Sequence, residues 1–293
     1  MIFRTLTKSL KPLRLISLLM TYLMGGGLVQ YLREIKSWSV FIQGGIFLIL
    51  LTLSIELLCL LQHLNQPRNW PEGMDTRRAK QARIIIAAIA ATFLTVATTF
   101  LVNWMQLGVM WSGLVVLLTA LLAVGGTYYF SQVAGLLRSY ALLIEVLLYV
   151  AFPPAMAYFL QSNELHRYLT MVVISLVPAY LANRILTLLE SFGRDQQIEL
   201  ETFVTRLGWE RAMFYHNALI LLTYFLFALI GVLGVHWFII WPVFLTLPIG
   251  LLEIWLMERV RRGMKPLWRV MRFAAACVLL IPVYLIGFAF WVR

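Results

Sequence analysis

The stretch from Trp38 to Leu64, WSVFIQGGIFLILLTLSIELLCLLQHL, decides the class of this protein. About 20 consecutive apolar residues in an α-helix cross the hydrocarbon core of a bilayer, and this run is longer than that. Similar runs recur along the 293 residues, of which 61% are hydrophobic and 13% charged, with a mean hydropathy of +0.85. Because soluble domains usually carry about 25% charged residues, the sequence predicts an integral membrane protein.

Nine apolar segments satisfy the length criterion for a membrane span, and no segment shows the alternation of a β-strand. The predicted spans cover residues 13–32, 38–64, 84–107, 110–130, 140–160, 168–189, 212–234, 237–257 and 273–292. Glycine and proline pairs interrupt several of them, a pattern typical of helices that pack closely around a cavity. We therefore expect an all-α protein with a single polytopic domain over residues 1–293. In it, about nine transmembrane helices enclose a cavity that opens to the cytoplasmic side.

The distribution of basic residues predicts the orientation of these spans. The N-terminal tail, counted through Arg14, and the polar loops 65–83, 131–139, 190–211 and 258–272 hold 19 of the 24 Lys and Arg residues, against four on the other side. Positively charged loops remain in the cytoplasm, so the N-terminus is predicted to be cytoplasmic and the C-terminus to lie on the opposite side. This topology, together with contacts to anionic membrane lipid, accounts for the net charge of +11. We expect no nucleic-acid partner.

Glu56, Glu145 and Arg184 lie at membrane depth within predicted spans, whereas Glu253 and Glu190 lie nearer the cytoplasmic ends. Charges at membrane depth are costly and mark functional sites by default. The alternative is that Glu56 or Glu145 is buried in a pair with an arginine such as Arg184, or bonds to a neighbouring helix. His216 is interpreted in the same way, as a satisfied helix contact rather than a ligand. No sequence motif indicates a hydrolase or a nucleotide-driven pump.

Two loops on the predicted cytoplasmic side have a similar composition. Residues 65–83 read NQPRNWPEGMDTRRAKQAR, and residues 190–208 read ESFGRDQQIELETFVTRLG. Acids and amides at four-residue spacing share one face of a helix end, where they can hold Mg²⁺ beside a diphosphate that arginine and lysine neutralise. Four spans separate the two loops, so a helix bundle can bring them together over one cavity.

The first loop resembles the Asp-rich element N-D-x-x-D-x-x-x-G-x-D of the UbiA-type membrane prenyltransferases. Asn65, Gly73 and Asp75 match that element, whereas Gln66 and Asn69 stand where the family has aspartates. The resemblance implies a nine-helix enzyme that uses Mg²⁺ to transfer an isoprenyl group from a diphosphate to an acceptor, usually an aromatic one. Amide oxygens bind Mg²⁺ more weakly than carboxylates do, so a weakened metal site is expected.

The second loop resembles the family's other motif in one of two registers. Residues 202–208, TFVTRLG, are similar to the family's T-L-A-V-R-L-G ending. With a gap, Arg194, Asp195 and Glu199 correspond to the family's R-D-x-x-x-D. Without one, Ser191 and Asp195 take the places of the two aspartates. Lys11-Pro12 and Ile144-Glu145 are similar to shorter family segments at the first and fifth helices.

The resemblance implies three sets of site residues. The catalytic set is Asp195, Glu199 and Asn69. The metal ligands are Asp195, Glu199, Asn65 and Asp75. The substrate diphosphate is expected to contact Arg194, Arg77, Arg78 and Lys80. The partners implied are a prenyl diphosphate and a hydrophobic or aromatic acceptor.

Two other functions agree with the same residues. A family member that has lost the chemistry would bind a prenyl lipid or quinone, or act as a partner subunit, and the replaced aspartates favour this reading. A small transporter would instead use the charges inside the spans. The one-sided polar loops favour a cytoplasmic site, and hence the enzyme or the binding protein over the transporter.

Overall fold

The computed structural model describes residues 12–32, 37–64, 75–107, 141–162, 166–197 and 201–292, with 115–116, 119–120, 122–123 and 126. All regular elements within these residues are helical. The α-helices are α1 Pro12–Tyr31, α2 Trp38–Leu64, α3 Thr76–Gln106, α4 Ala141–Val146, α5 Phe152–Ser162, α6 Arg167–Gln197, α7 Phe203–Leu207, α8 Trp209–Val232, α9 Trp237–Ile240, α10 Leu247–Arg261 and α11 Trp268–Trp291. A π-helical turn, Leu147–Ala151, joins α4 to α5, and a 3₁₀ segment, Trp241–Thr246, joins α9 to α10.

Eight of the predicted spans correspond to helices that are long and apolar enough to cross a membrane. This confirms the all-helical class and agrees with a multi-pass integral membrane protein. The remaining predicted span, residues 110–130, lies largely outside the described residues. The predicted count of nine therefore stays a prediction, as do the enclosed cavity and the orientation of the termini.

Helix α1 packs against α5 and α11, and glycines make this approach possible. An added Cβ at Gly25 would lie 2.6 Å from both the Cα and the carbonyl oxygen of Pro154, and one at Gly27 would lie 2.9 Å from Trp291. The Gly25-Gly26-Gly27 run therefore places the α1 backbone directly against its neighbours, as small residues do in membrane bundles. The Trp291 indole closes the contact by donating to the Leu23 carbonyl at 2.9 Å.

The fifth span changes from α-helical to π-helical geometry just before Pro153-Pro154. Neither proline has an N–H group, so the Tyr149 carbonyl lacks both its α-helical and its π-helical donor. The Thr21 hydroxyl of α1 lies 3.2 Å from the Tyr149 carbonyl oxygen, and it is also 2.8 Å and 3.0 Å from the Ser17 and Leu18 carbonyl oxygens of its own helix. The Tyr149 carbonyl thus shares a hydroxyl donor of a neighbouring helix with two carbonyls of α1.

Two helices extend beyond their predicted spans into the polar loops. Helix α3 begins at Thr76 and therefore includes Arg77 and Lys80, and α6 continues to Gln197 and includes Asp195. The one-turn helix α7 follows, and Thr202 and Thr205 form a reciprocal capping box at its start. Gly208, with φ of +88°, separates α7 from α8. Much of the second polar loop is thus helical.

Candidate functional site

Asp195 lies in the last turn of α6 and is buried, with 3% of its surface exposed. The Ser191 hydroxyl donates to its Oδ2 at 2.6 Å, while Arg194 Nε lies 3.8 Å from Oδ1. The Arg194 side chain itself is largely exposed. Four-residue spacing therefore brings together the two positions that the ungapped register matches to the family's aspartates. One carboxylate, one hydroxyl and one arginine form this part of the site.

The residues of the first loop that are described lie at the start of α3. Asp75 directly precedes the helix, and its carbonyl accepts a bond from the Ala79 N–H at 2.9 Å. Asp75, Arg77 and Lys80 are exposed, and Arg78 lies in the first turn of the same helix. Basic groups therefore line this helix end, where an anion would also meet the positive end of the helix dipole.

Asn65, Asn69 and Glu199 lie outside the described residues. Of the four expected metal ligands, the structure describes Asp75 and Asp195, whose carboxylate oxygens are of the kind that Mg²⁺ binds. Within the described ranges, no three His, Cys, Asp or Glu side chains form a group that could hold a metal. A magnesium site at the loops stays a prediction.

Glu56, Glu145 and Arg184 form one network with Arg14. Arg14 Nη1 lies 2.7 Å from Glu56 Oε1, and Arg14 Nη2 lies 2.7 Å from Glu145 Oε1. Arg184 holds Glu145 with two bonds, from Nε at 2.5 Å and from Nη2 at 3.1 Å. The four side chains keep only 10–15% of their surface exposed. The pairing of Glu145 with Arg184, one of the two sequence-based interpretations, is present.

Arg14 has a different role from the one that the charge count gave it. It lies in the first turn of α1, inside the bundle, and links α1 to α2 and α4. Its guanidinium also lies 5.5 Å from the centre of the Tyr149 ring, whose hydroxyl donates to Glu56 Oε1 at 3.2 Å. From the sequence near Arg14 alone, an arginine that is buried in an ion pair cannot be distinguished from one that stays at the cytoplasmic surface. The signal in the sequence was Glu56, an acidic residue within a predicted span that requires a basic partner.

His216 and Glu253 form a second buried pair, between α8 and α10. His216 Nε2 lies 2.9 Å from Glu253 Oε1, and the two side chains are 0% and 1% exposed. His216 Nδ1 lies 3.2 Å from Asn217 Oδ1. The interpretation of His216 as a satisfied helix contact is confirmed, and the pair joins two helices inside the membrane region.

A groove of about 520 Å³ runs between α4, α6, α7 and α8. Its apolar lining consists of Leu142, Leu143, Leu181, Ile185, Phe203, Leu207 and Leu219. Arg206, Arg211 and Tyr215 are its polar lining residues, and all three are exposed. Because Arg211, Tyr215 and Leu219 follow each other at four-residue spacing, α8 lines the groove from an arginine at the helix start to a leucine about two turns deeper.

The two groove arginines were not among the residues that the sequence analysis assigned to the site. Arg206 lies within the segment that resembles the family's T-L-A-V-R-L-G ending, and Arg211 comes five residues later. The two arginines reach one groove with leucines of α4 only because α7 packs against α6 and α8. In the sequence, Arg206 could have been identified as a candidate because it lies within the segment that resembles the family motif.

Comparison with known proteins adds no family assignment. No protein-family model matches the chain, and no curated protein matches it. The features of the molecule itself therefore carry the functional argument.

Proposed function

We propose that this protein is an intramembrane prenyltransferase-like protein that transfers an isoprenyl group from a prenyl diphosphate to an aromatic or other lipid-soluble acceptor. The observation that carries the proposal is the groove between α4, α6, α7 and α8, which is apolar along its length and carries Arg206 and Arg211. A prenyl diphosphate likewise combines an apolar hydrocarbon chain with a highly charged head group, so its two parts match the leucines and the arginines of the groove.

The groove has the dimensions and lining expected of a ligand site. Binding pockets commonly measure about 300–1,000 Å³ and are mostly apolar with a few polar groups that orient the ligand. Guanidinium groups bind phosphate oxygens with paired hydrogen bonds. In the proposed complex the chain lies along Leu181 and Leu219, and the diphosphate lies between Arg206 and Arg211.

The polar loops would then complete the diphosphate site. Mg²⁺, when bound by Asp195, Glu199, Asn65 and Asp75, would neutralise charge on the leaving diphosphate. Arg194, Arg77, Arg78 and Lys80 would contact its remaining oxygens, with Asn69 beside them. In the reaction the allylic C–O bond breaks, and its electron pair leaves with the diphosphate. An acceptor carbon or oxygen forms the new bond and then loses its proton.

A second candidate is a protein of the same fold that binds a prenyl lipid or quinone without chemistry, or serves as a partner subunit. The observation in its favour is that Asp195 already accepts a hydrogen bond of 2.6 Å from Ser191. In the first loop, Gln66 and Asn69 also stand where the family has aspartates.

A transporter, the third function considered, would use the charge network of Arg14, Glu56, Glu145 and Arg184 instead. That network is closed by ion pairs among the described residues, so the groove supports the first two candidates better.

The test is release of diphosphate by the purified protein in lipid nanodiscs supplied with Mg²⁺ and geranyl, farnesyl or longer prenyl diphosphates. Bound radiolabelled prenyl diphosphate is counted in the same samples. We expect Asp195→Asn to abolish release and retain binding. We expect Arg206→Gln with Arg211→Gln to weaken binding at least tenfold, because each phosphate contact from a charged group contributes about 1.5–3 kcal/mol.

The matched control is Arg262→Gln with Arg269→Gln, two exposed arginines outside the groove. This control should bind as the wild type does. Binding without release in the wild type would favour the second candidate. Binding that is equally strong in the groove variant and the control would refute the groove as the diphosphate site.

A further inference from the structure

The end of α10, the following turn and the start of α11 carry a concentrated positive charge. Residues 255–273, here termed the basic hairpin, contain six lysines and arginines and one acidic residue, Glu258. The spans that end and begin here, Trp237–Arg261 and Trp268–Trp291, are each long and apolar enough to cross a membrane. The turn between them therefore lies at a membrane surface, among the head groups of the lipids.

Carboxylates neutralise only part of this charge. Glu258 Oε1 accepts bonds from Arg261 Nη2 at 2.8 Å and from Arg262 Nε at 3.4 Å. Glu190 of α6 lies 3.5 Å from Arg272 Nε. Within the part of the chain that the structure describes, the other three basic residues of the hairpin have no ion-pair partner, namely Arg259, Lys265 and Arg269. The hairpin thus carries a surplus of positive charge.

Arg259 differs from the paired arginines because neutral groups hold its side chain. Its guanidinium carbon lies 4.8 Å from the centre of the Trp255 ring, one turn earlier on α10. Its Nε donates to the Met264 sulfur at 3.3 Å, and the Met264 N–H donates to the Arg259 carbonyl at 3.1 Å. These contacts orient the guanidinium without neutralising it. Among the described residues, its Nη1 and Nη2 atoms bond to no other group.

The free groups of Arg259 match a phosphate. Nη1 and Nη2 form a planar fork that binds two phosphate oxygens at once. Lys265 directly follows Met264, so a second unpaired positive charge lies next to the contact that orients Arg259. An arginine that is fixed in place and a neighbouring lysine can therefore hold one phosphate between them.

The surface next to Arg259 indicates that this phosphate belongs to a lipid. Leu251, Trp255 and Arg259 follow each other at four-residue spacing and share one face of α10. The Leu251 and Trp255 side chains are 50% and 54% exposed on that face. Tryptophan is enriched at the boundary between hydrocarbon and head groups. The face thus passes from apolar to interfacial to charged, in the same order as the acyl chain, glycerol and phosphate of a phospholipid.

The surplus charge favours an anionic lipid over a zwitterionic one. The phosphate of phosphatidylcholine is accompanied by an ammonium group of opposite charge, whereas the phosphate of phosphatidylglycerol is not. Clusters of four to eight lysines and arginines beside a membrane helix are typical of sites for anionic lipids. The predicted orientation places the hairpin at the cytoplasmic leaflet, where such lipids lie in many membranes.

We propose that Arg259, Lys265 and Trp255 form a binding site for the head group of an anionic phospholipid of the surrounding bilayer. Arg259 Nη1 and Nη2 and Lys265 Nζ donate to the lipid phosphate, and an acyl chain lies along Trp255 and Leu251. The site is built on α10 and the turn that follows it. It is separate from the groove, which is lined by α4, α6, α7 and α8, and it does not depend on the proposed function.

The experiment counts lipids bound to the purified protein by native mass spectrometry. The protein in detergent is titrated with phosphatidylglycerol or with phosphatidylcholine of the same acyl chains. We expect the wild type to bind the first phosphatidylglycerol about tenfold more tightly than phosphatidylcholine. Arg259→Gln with Lys265→Gln should abolish this tenfold preference, which corresponds to about 1.4 kcal/mol.

The matched control is Arg262→Gln with Arg269→Gln. It removes the same number of positive charges from the same hairpin but leaves Trp255, Arg259 and Lys265 in place. The control should retain the preference for phosphatidylglycerol. A second variant, Arg259→Lys, keeps the charge and replaces the planar fork by a single ammonium group. It should weaken phosphatidylglycerol binding about threefold, and as a conservative change at the surface it should leave folding intact.

Three results would overturn the proposal. One is equal affinity of the wild type for the two lipids. Another is an equal loss of preference in the Arg259/Lys265 variant and the control, which would indicate diffuse attraction to the charge of the whole hairpin. The third is a loss of phosphatidylglycerol binding in Arg206→Gln with Arg211→Gln, which would place the lipid in the groove instead.

Discussion

At the scale of single residues, Arg14 has the largest structural role of the charged side chains. It touches two glutamates from two other helices at 2.7 Å each. Pairs of this kind are retained inside membranes because either partner alone would be an uncompensated charge. Removal of Arg14 would leave Glu56 without its arginine, whereas Glu145 would keep Arg184.

Replacing Arg14 by Met should therefore destabilise the protein by about 3–5 kcal/mol, the usual cost of removing one partner from a buried pair. The measurement is chemical or thermal unfolding in nanodiscs. Arg184→Met should cost less, because Glu145 would keep its bond to Arg14.

The control for this prediction is Arg269→Met, which removes an exposed arginine. Its stability should stay within about 0.5 kcal/mol of the wild type. An Arg14 variant as stable as this control would contradict the assignment of Arg14 to the network.

At the scale of elements, the π-helical turn Leu147–Ala151 between α4 and α5 is a local irregularity in the described fold. Pro153-Pro154 removes two donors, and the buried Tyr149 carbonyl accepts a bond from the Thr21 hydroxyl of α1. The π-helical turn begins two residues after Glu145 and follows the short helix α4, whose Leu142 and Leu143 line the groove. A hydrogen bond between elements thus supports the groove wall.

Thr21→Val should lower the free energy of unfolding by about 1–3 kcal/mol, because a buried carbonyl would lose its partner. Thr223→Val is the matched control, since Thr223 bonds only to a carbonyl one turn earlier in its own helix. Thermal unfolding of both variants gives the comparison. Equal losses in the two variants would show that the bond to the Tyr149 carbonyl does not matter.

At the scale of the whole molecule, the orientation and the odd number of spans can be tested together. Cysteine is placed at Lys265 or Leu233 in a background without Cys59 and Cys277. A membrane-impermeant maleimide added to sealed vesicles with the cytoplasmic face inside should label Leu233→Cys at once and Lys265→Cys only after permeabilisation. The four basic loops are predicted to stay in the cytoplasm.

Terminal tags extend the same experiment to the span predicted at residues 110–130. Nine spans require an N-terminal tag that is protected and a C-terminal tag that is accessible in these vesicles. Both tags on the same side would rule out an odd number of crossings. Reversed labelling of the two cysteines would refute the orientation.

The sequence by itself determined the helical membrane class, because backbone polar groups in lipid must be satisfied within helices, and long apolar runs therefore permit few alternatives. It also marked Glu56, Glu145 and Arg184 as unusual, and it gave Ser191 and Asp195 the four-residue spacing at which side chains share a helix face. These conclusions depend on local periodicity and on the high cost of a charge in lipid, both of which can be read from the sequence.

Only the tertiary structure decided which of these residues meet. The pairing of Arg14 with Glu145 joins positions 131 residues apart, and the groove joins leucines of α4 to arginines of α7 and α8. Helix packing depends on the shapes of several side chains at once, such as the Gly25 surface that fits Pro154. No periodicity along one segment encodes that fit, so the charge network and the groove form only when the helices pack.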